Sequence, residues 1–164
     1  GHTGPTGGTG PTGHTGPSVA SAYAFLIRMT PQDLAGKDTV IFDAPPQLSQ
    51  HITYNHTDGK ITLQDTGTYL VEYNAAAQGA TGPSAAPGLG LRLTPGGEID
   101  ATRTGTGSPA STATTITGGA IISISNSDTT LELLNPNSGP TSSMRLVNTI
   151  PNAPSVSIRI LKIN

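Results

Sequence analysis

The sequence contains no cysteine and no tryptophan, only two phenylalanines and four tyrosines, and only 11% of its residues are charged. Without cysteine there is no disulfide, no thiolate nucleophile and no Cys-ligated zinc, so the fold must stand on packing and hydrogen bonds. An extracellular location stays open, because it requires no covalent staple. The formal net charge is −2, with no run of Lys or Arg and no acidic tail. Such a chain has no field with which to draw in nucleic acid or an anionic membrane. No apolar run approaches the roughly 18 residues of a membrane span, which argues against membrane insertion. Leu, Ile, Val and Phe together number 33 of 164 residues, and all lie after residue 18. A core built from them is aliphatic, helped by Tyr23, Tyr54, Tyr69 and Tyr73, and so thin a supply favours burying further surface by oligomerisation.

What the first 18 residues do have is glycine in register. They read GHT, GPT, GGT, GPT, GHT, GPS, with Gly1, Gly4, Gly7, Gly10, Gly13 and Gly16 at every third place and Pro5, Pro11 and Pro17 at the second. Three polyproline-II chains can wind together only if every third residue lacks a side chain at the crowded axis. Pro at the second place holds φ near the value this needs. Unbroken register distinguishes the segment from a flexible Gly/Thr linker and marks a collagen-like Gly-X-Y tail. It would span roughly 55 Å at polyproline-II rise, too short for a stable triple helix alone. The rest of the chain must therefore bring three tails together. The chain opens inside the repeat, from which we expect a longer protein. Thr3, Thr6, Thr9, Thr12 and Thr15 fill the third place. They are either polar filler or outward-facing candidates for O-glycosylation.

From residue 19 the pattern changes to short alternating runs bounded by turn residues. We expect strands at Ala20 to Met29, Thr39 to Phe42 and Ser155 to Ile163, and a hairpin of His51 to Tyr54 with Lys60 to Gln64 around Asp58-Gly59. A longer strand starts at Gly67 and places Tyr69, Val71, Tyr73 and Ala75 on one face, with Leu70, Glu72, Asn74 and Ala76 on the other. Leu89, Leu91 and Leu93 alternate before a turn at Pro95-Gly96-Gly97. Ala120 to Ser125 pairs with Thr129 to Leu134 across Asn126-Ser127-Asp128. Residues 101 to 118, rich in Thr, Ser and Gly, read equally as loop or strand. Eight to ten strands, with no amphipathic helix and 25 threonines, describe an all-β sandwich or jelly roll over residues 19–164. Tyr69, Val71, Tyr73, Val156, Ile158 and Ile160 are expected to pack in the core or near a trimer axis. Glu72 and Arg92, central in their strands, are expected to be exposed, or else to pair between subunits.

Chemistry-bearing constellations are sparse. There is no G-x-S-x-G elbow, and the ten acids fall mostly at turns or on strand faces, where solvation explains them. His2 and His14 in the tail, and His51 and His56 around the hairpin, have no spacing that supplies three or four convergent zinc ligands. No Asp/Asn-dense loop suggests calcium. Asn55-His56-Thr57 matches a glycosylation sequon, but turn chemistry accounts for Asn55. These residues predict neither catalysis, nor a metal site, nor a cofactor.

The Gly-Pro-Thr tail runs into Ala22-Tyr23-Ala24-Phe25. It is followed by Val40-Ile41-Phe42, Ile52-Thr53-Tyr54, Lys60-Ile61-Thr62-Leu63, Thr66-Gly67-Thr68-Tyr69 and the closing Val156-Ser157-Ile158-Arg159-Ile160. In these features the chain resembles the C1q/TNF superfamily. More closely, it resembles the C-terminal domain of collagen-like glycoproteins of the spore exosporium. The resemblance implies a C1q/TNF-like jelly-roll head (19–164) behind a collagen-like tail (1–18), assembled as a homotrimer. It implies O-linked sugars on the tail threonines, display on a spore or cell surface, and no catalysis. The rival expectations are an adhesin, whose trimeric tip binds a host or surface ligand, and the tip of a phage fibre.

Overall fold

After Ala22, apolar and polar side chains alternate with the period of strands, and strands are what form in the computed structural model, which describes residues 1–5, 8, 22–79, 86–105, 112–138 and 143–164. In chain order they are β1 (Tyr23–Arg28), β2 (Gln32–Leu34), β3 (Gln47–Leu48), β4 (Ile52–Tyr54), β5 (Ile61–Leu63), β6 (Gly67–Gly79), β7 (Gly88–Thr94), β8 (Gly97–Gly105), β9 (Thr114–Ile124), β10 (Thr129–Leu134), β11 (Met144–Leu146) and β12 (Val156–Lys162). No helix occurs among the described residues. Of the tail positions, Gly7, Gly10, Gly13 and Gly16, with Thr6, Thr9, Thr12 and Thr15, lie outside the described residues.

The strands form two antiparallel sheets. One has seven strands, in the order β2-β11-β6-β12-β1-β3, with β9 on the other edge of β6. The second has five, in the order β4-β5-β10-β7-β8. The long β6 organises the first sheet: β9 pairs with it from Gly67 to Ala77, β12 from Tyr69 to Ala75, and β11 from Ala77 to Gly79. Because side chains alternate, Tyr69, Val71, Tyr73, Ala75 and Ala77 all turn inward and are buried. They meet Val156, Ile158 and Ile160 of β12, Leu26 of β1 and Ile116, Ile122 and Ile124 of β9 in one core. The second sheet contributes Ile61, Leu63, Leu89, Leu91, Leu131 and Leu133. Each fully buried aliphatic side chain of this kind contributes roughly 1.5–3 kcal/mol, so an aliphatic core suffices without tryptophan.

The Asp58-Gly59 turn forms as expected. Gly59 has φ of 74°, and a Cβ there would lie 2.6 Å from the Val40 carbonyl oxygen, so only glycine closes this hairpin against its neighbour. Asn55 serves the turn: its side-chain oxygen accepts from the Thr57 N–H at 2.9 Å.

Thr39 to Phe42, expected as a strand, makes only one isolated bridge, Thr39 to Leu134. Its N–H groups are satisfied otherwise: Val40 donates to the Leu133 carbonyl, Ile41 to the Gln32 side chain and Phe42 to the Tyr54 hydroxyl. Side chains thus replace a ladder partner. Residues 101–118 resolve into the end of β8 and the start of β9, and residues 106–111 between them lie outside the described residues. The expected pairing of Ala120 to Ser125 with Thr129 to Leu134 does not form: β9 pairs with β6 in the first sheet, and β10 pairs with β5 and β7 in the second, so the turn between them crosses from sheet to sheet. The short strands β2, β3 and β11 have no counterpart among the sequence expectations.

The two ends of the head meet. The Lys162 N–H donates to the Ala22 carbonyl at 2.8 Å, and Ile163 donates to Thr68 at the same distance. The segment preceding Ala22 and the C-terminus therefore join the same end of the first sheet.

Candidate assembly face

The outward face of the first sheet follows directly from its register. Tyr23 lies opposite Leu161, Leu161 opposite Leu70, and Leu70 opposite Ile121. Directly paired residues project to the same side, so these four form one apolar row across β1, β12, β6 and β9. Tyr23 is 51% exposed, Ile121 66% and Leu161 38%, and Ile163, just past the end of β12, is 46% exposed. Scattered exposed apolar residues need no explanation, but a contiguous row of them is a candidate contact surface.

Two further rows lie beside it. Phe25, Arg159, Glu72 and Gly119 form the second, and Ile27, Ser157, Asn74 and Thr117 the third. In the second, Arg159 and Glu72 approach within 3.6 Å and are both well exposed. They are the only charges on the outward side of these four strands. In the third, the Asn74 side-chain amide donates to the Thr117 hydroxyl at 3.3 Å. The face thus grades from apolar, at the end where Ala22 leads into β1, through one charge pair, to neutral polar.

Tyr69, Val71, Tyr73, Val156, Ile158 and Ile160 lie inside the single chain, each no more than 2% exposed. They are core residues, and the outward row is made of their neighbours in sequence. Alternation assigned Leu70 to the second face, yet the row as a whole was missed. Its signal is in the sequence: β1, β9 and β12 carry apolar residues at both parities, in YAFLI, AII and IRIL, as strands do when both faces are covered.

Arg92 departs from expectation. It forms a two-pronged pair within the chain with Glu132, which is only 3% exposed. Glu132 also accepts from the Thr39 hydroxyl at 2.9 Å. Burial pushes its carboxyl up, but the Arg92 and Thr39 hydrogen bonds outweigh burial and hold it below the usual carboxylate range. The same hydrogen bond to Glu132 raises Arg92 above its ordinary value. Glu132 is therefore not one of the acids that solvation explains. Glu72, by contrast, is exposed as expected.

The histidines take local roles. His51 lies 3.3 Å from Asp65, and His56 lies 3.3 Å from the Phe42 carbonyl and against the Tyr54 ring. Among the described residues no three His, Asp or Glu side chains converge as metal ligands.

Two antiparallel sheets enclosing one aliphatic core, with Ala22 and the C-terminus at one end and an uncovered apolar row beside them, define a jelly-roll head. The fold is similar to the globular domain of zebrafish complement 1qA protein, with 15% identity and a TM-score of 0.60 over 88% of this chain and 98% of that one. It is also similar to Eiger TNF from S. frugiperda, with 11% identity and a TM-score of 0.59 over 88% and 92% of the two chains. Murine APRIL at pH 8.0 is a third, with 10% identity and a TM-score of 0.54 over 87% and 99%. No family model and no curated relative matches the sequence. The head has the C1q/TNF-like fold.

Proposed function

We propose that this chain is the trimer-forming head of a collagen-like filament displayed on the outer surface of a bacterial spore or cell, with a structural rather than a catalytic role. The observation that carries this reading is the apolar row of Tyr23, Leu70, Ile121 and Leu161 on an open sheet face, located where the Gly-X-Y segment joins the head. Three heads that bury this row against one another bring three tails together at their base. Local tail concentration then rises to the level that intramolecular linkage supplies, about millimolar, and a repeat too short to wind alone can register. The family resemblance supplies the homotrimer, the exosporium-type setting and the O-linked sugars on Thr3, Thr6, Thr9, Thr12 and Thr15. The extracellular setting agrees with a chain that offers no nucleic-acid field and no cofactor chemistry.

Mass measurement in solution under native conditions tests this, on the full chain and on the chain lacking residues 1–18. Three copies are expected in both, because association resides in the head. A monomeric head at working concentration would sink the reading.

A further inference from the structure

The row next to the apolar one poses a problem for any assembly that covers it. An exposed ion pair such as Arg159–Glu72 contributes little within one chain. Covering it removes water from both charges, and each must then be met by further partners. A purely apolar face would associate as readily and without this cost. The pair stands between the apolar row and the neutral row, on the two central strands β6 and β12. The two side chains are 54% and 68% exposed, so each keeps hydrogen-bonding capacity that its partner does not use. The face is also self-complementary in charge, with one cation and one anion.

We propose that Glu72 and Arg159 also pair across neighbouring copies of this chain, so that the second row closes as alternating Glu and Arg contributed by different protomers. This rests on the self-association reading above and specifies it: the apolar row supplies affinity, and the charge pair fixes angular register and rejects other apolar surfaces. The partner is a second copy of this chain, because only a surface carrying the same pair at the same distance from the same apolar row satisfies both charges.

The test uses the full chain and two variants, Glu72→Arg and Arg159→Glu. Each alone puts two like charges on the face, and each should dissociate at a protein concentration at least about tenfold higher than the wild type. Mixed in equal amounts, the two should co-assemble, with mixed trimers exceeding the random-exchange share in native mass spectrometry. The neutral pair Glu72→Gln and Arg159→Gln should mix at random. Both positions of change, Glu72 and Arg159, are outward-facing, and an unaltered far-ultraviolet spectrum establishes that each variant is folded. If the wild type is trimeric while the charged variants mix only at random, or only the double reversal within one chain restores assembly, the pair is internal and the proposal is overturned. A wild type that stays monomeric at every concentration overturns the self-association reading itself, and this proposal with it.

Discussion

Tyr73 belongs to β6 in the first sheet, yet its hydroxyl lies among groups of β7 and β8 in the second. It donates to the Thr102 carbonyl, lies 3.1 Å from the Leu89 carbonyl, and is 2.9 Å from the Thr104 hydroxyl. Burial raises its pKa and the Thr104 hydrogen bond opposes this, leaving the phenol above its ordinary value and neutral at physiological pH. The ring reaches so far because Gly118, opposite it on β9, has no side chain; a Cβ there would fall 2.4 Å from the hydroxyl oxygen. Tyr73→Phe should therefore cost about 1–3 kcal/mol, since it strands a buried carbonyl without a donor. Gly118→Ala should cost a similar amount by overpacking. Urea denaturation at fixed protein concentration measures both, and a Tyr73→Phe chain as stable as the wild type would refute the sheet-to-sheet role. Alternation in the sequence was enough to put Tyr73 in the core. Its hydroxyl partners lie 16, 29 and 31 residues away, and no local pattern encodes which sheet they come from.

At the scale of strands, legibility followed length and pairing partner. The hairpin of β4 and β5, the long β6 and the closing β12 were legible because each repeats the two-residue period several times or carries a turn signal. β2, β3 and β11 are two or three residues long, too short for any period to show. Thr39 to Phe42 misled for the opposite reason: its residues suit a strand, but Gln32 and Tyr54 take the hydrogen bonds that a ladder would make. The abundance of threonine also finds its place here. Thr53, Thr62, Thr130 and Thr94 lie in one row across β4, β5, β10 and β7, on the outward side of the second sheet. Beside that row Arg92 and Glu132 link β7 to β10. Glu132→Gln should destabilise the head by about 1.5–3 kcal/mol, the worth of hydrogen bonds to a charged group. The sign of its pH dependence follows from the depressed carboxyl. Its contribution is present above the ordinary value of 4.5 and is lost as pH falls through the lower folded value. Asp43 acts in the same direction, since its bonds from Thr30 and Met29 outweigh its burial, and so does Glu98 through Lys37 and Arg103. Urea midpoints should therefore fall as pH drops below about 4.5, and less steeply in Glu132→Gln than in the wild type. Equal slopes would show that Glu132 is not held ionised by its partners.

For the whole molecule the decisive contrast lies between two adjacent residues. Ile160 is fully buried in the core, while Leu161 is 38% exposed in the outward row, though both are aliphatic and consecutive on β12. If the row is an assembly face, the two positions must fail differently. Ile160→Lys places an unpaired charge in the core and should abolish the fold, visible as loss of the β-sheet signal in circular dichroism. Leu161→Lys places three ammonium groups at a shared base in the assembly, while in the single chain it merely extends into water. It should keep the β-sheet spectrum and dissociate at least about tenfold more readily, because like charges facing one another cost several kcal/mol. Folding and association are linked, so the wild-type melting temperature should rise with protein concentration, as it does for any state stabilised by binding its own copies. In Leu161→Lys that dependence should vanish within the range where the wild type shows it. Thermal melts over a hundredfold concentration series, with native mass at each end, check both statements. A Leu161→Lys chain that remains trimeric with an unchanged melting profile would mean that the copies associate through another face.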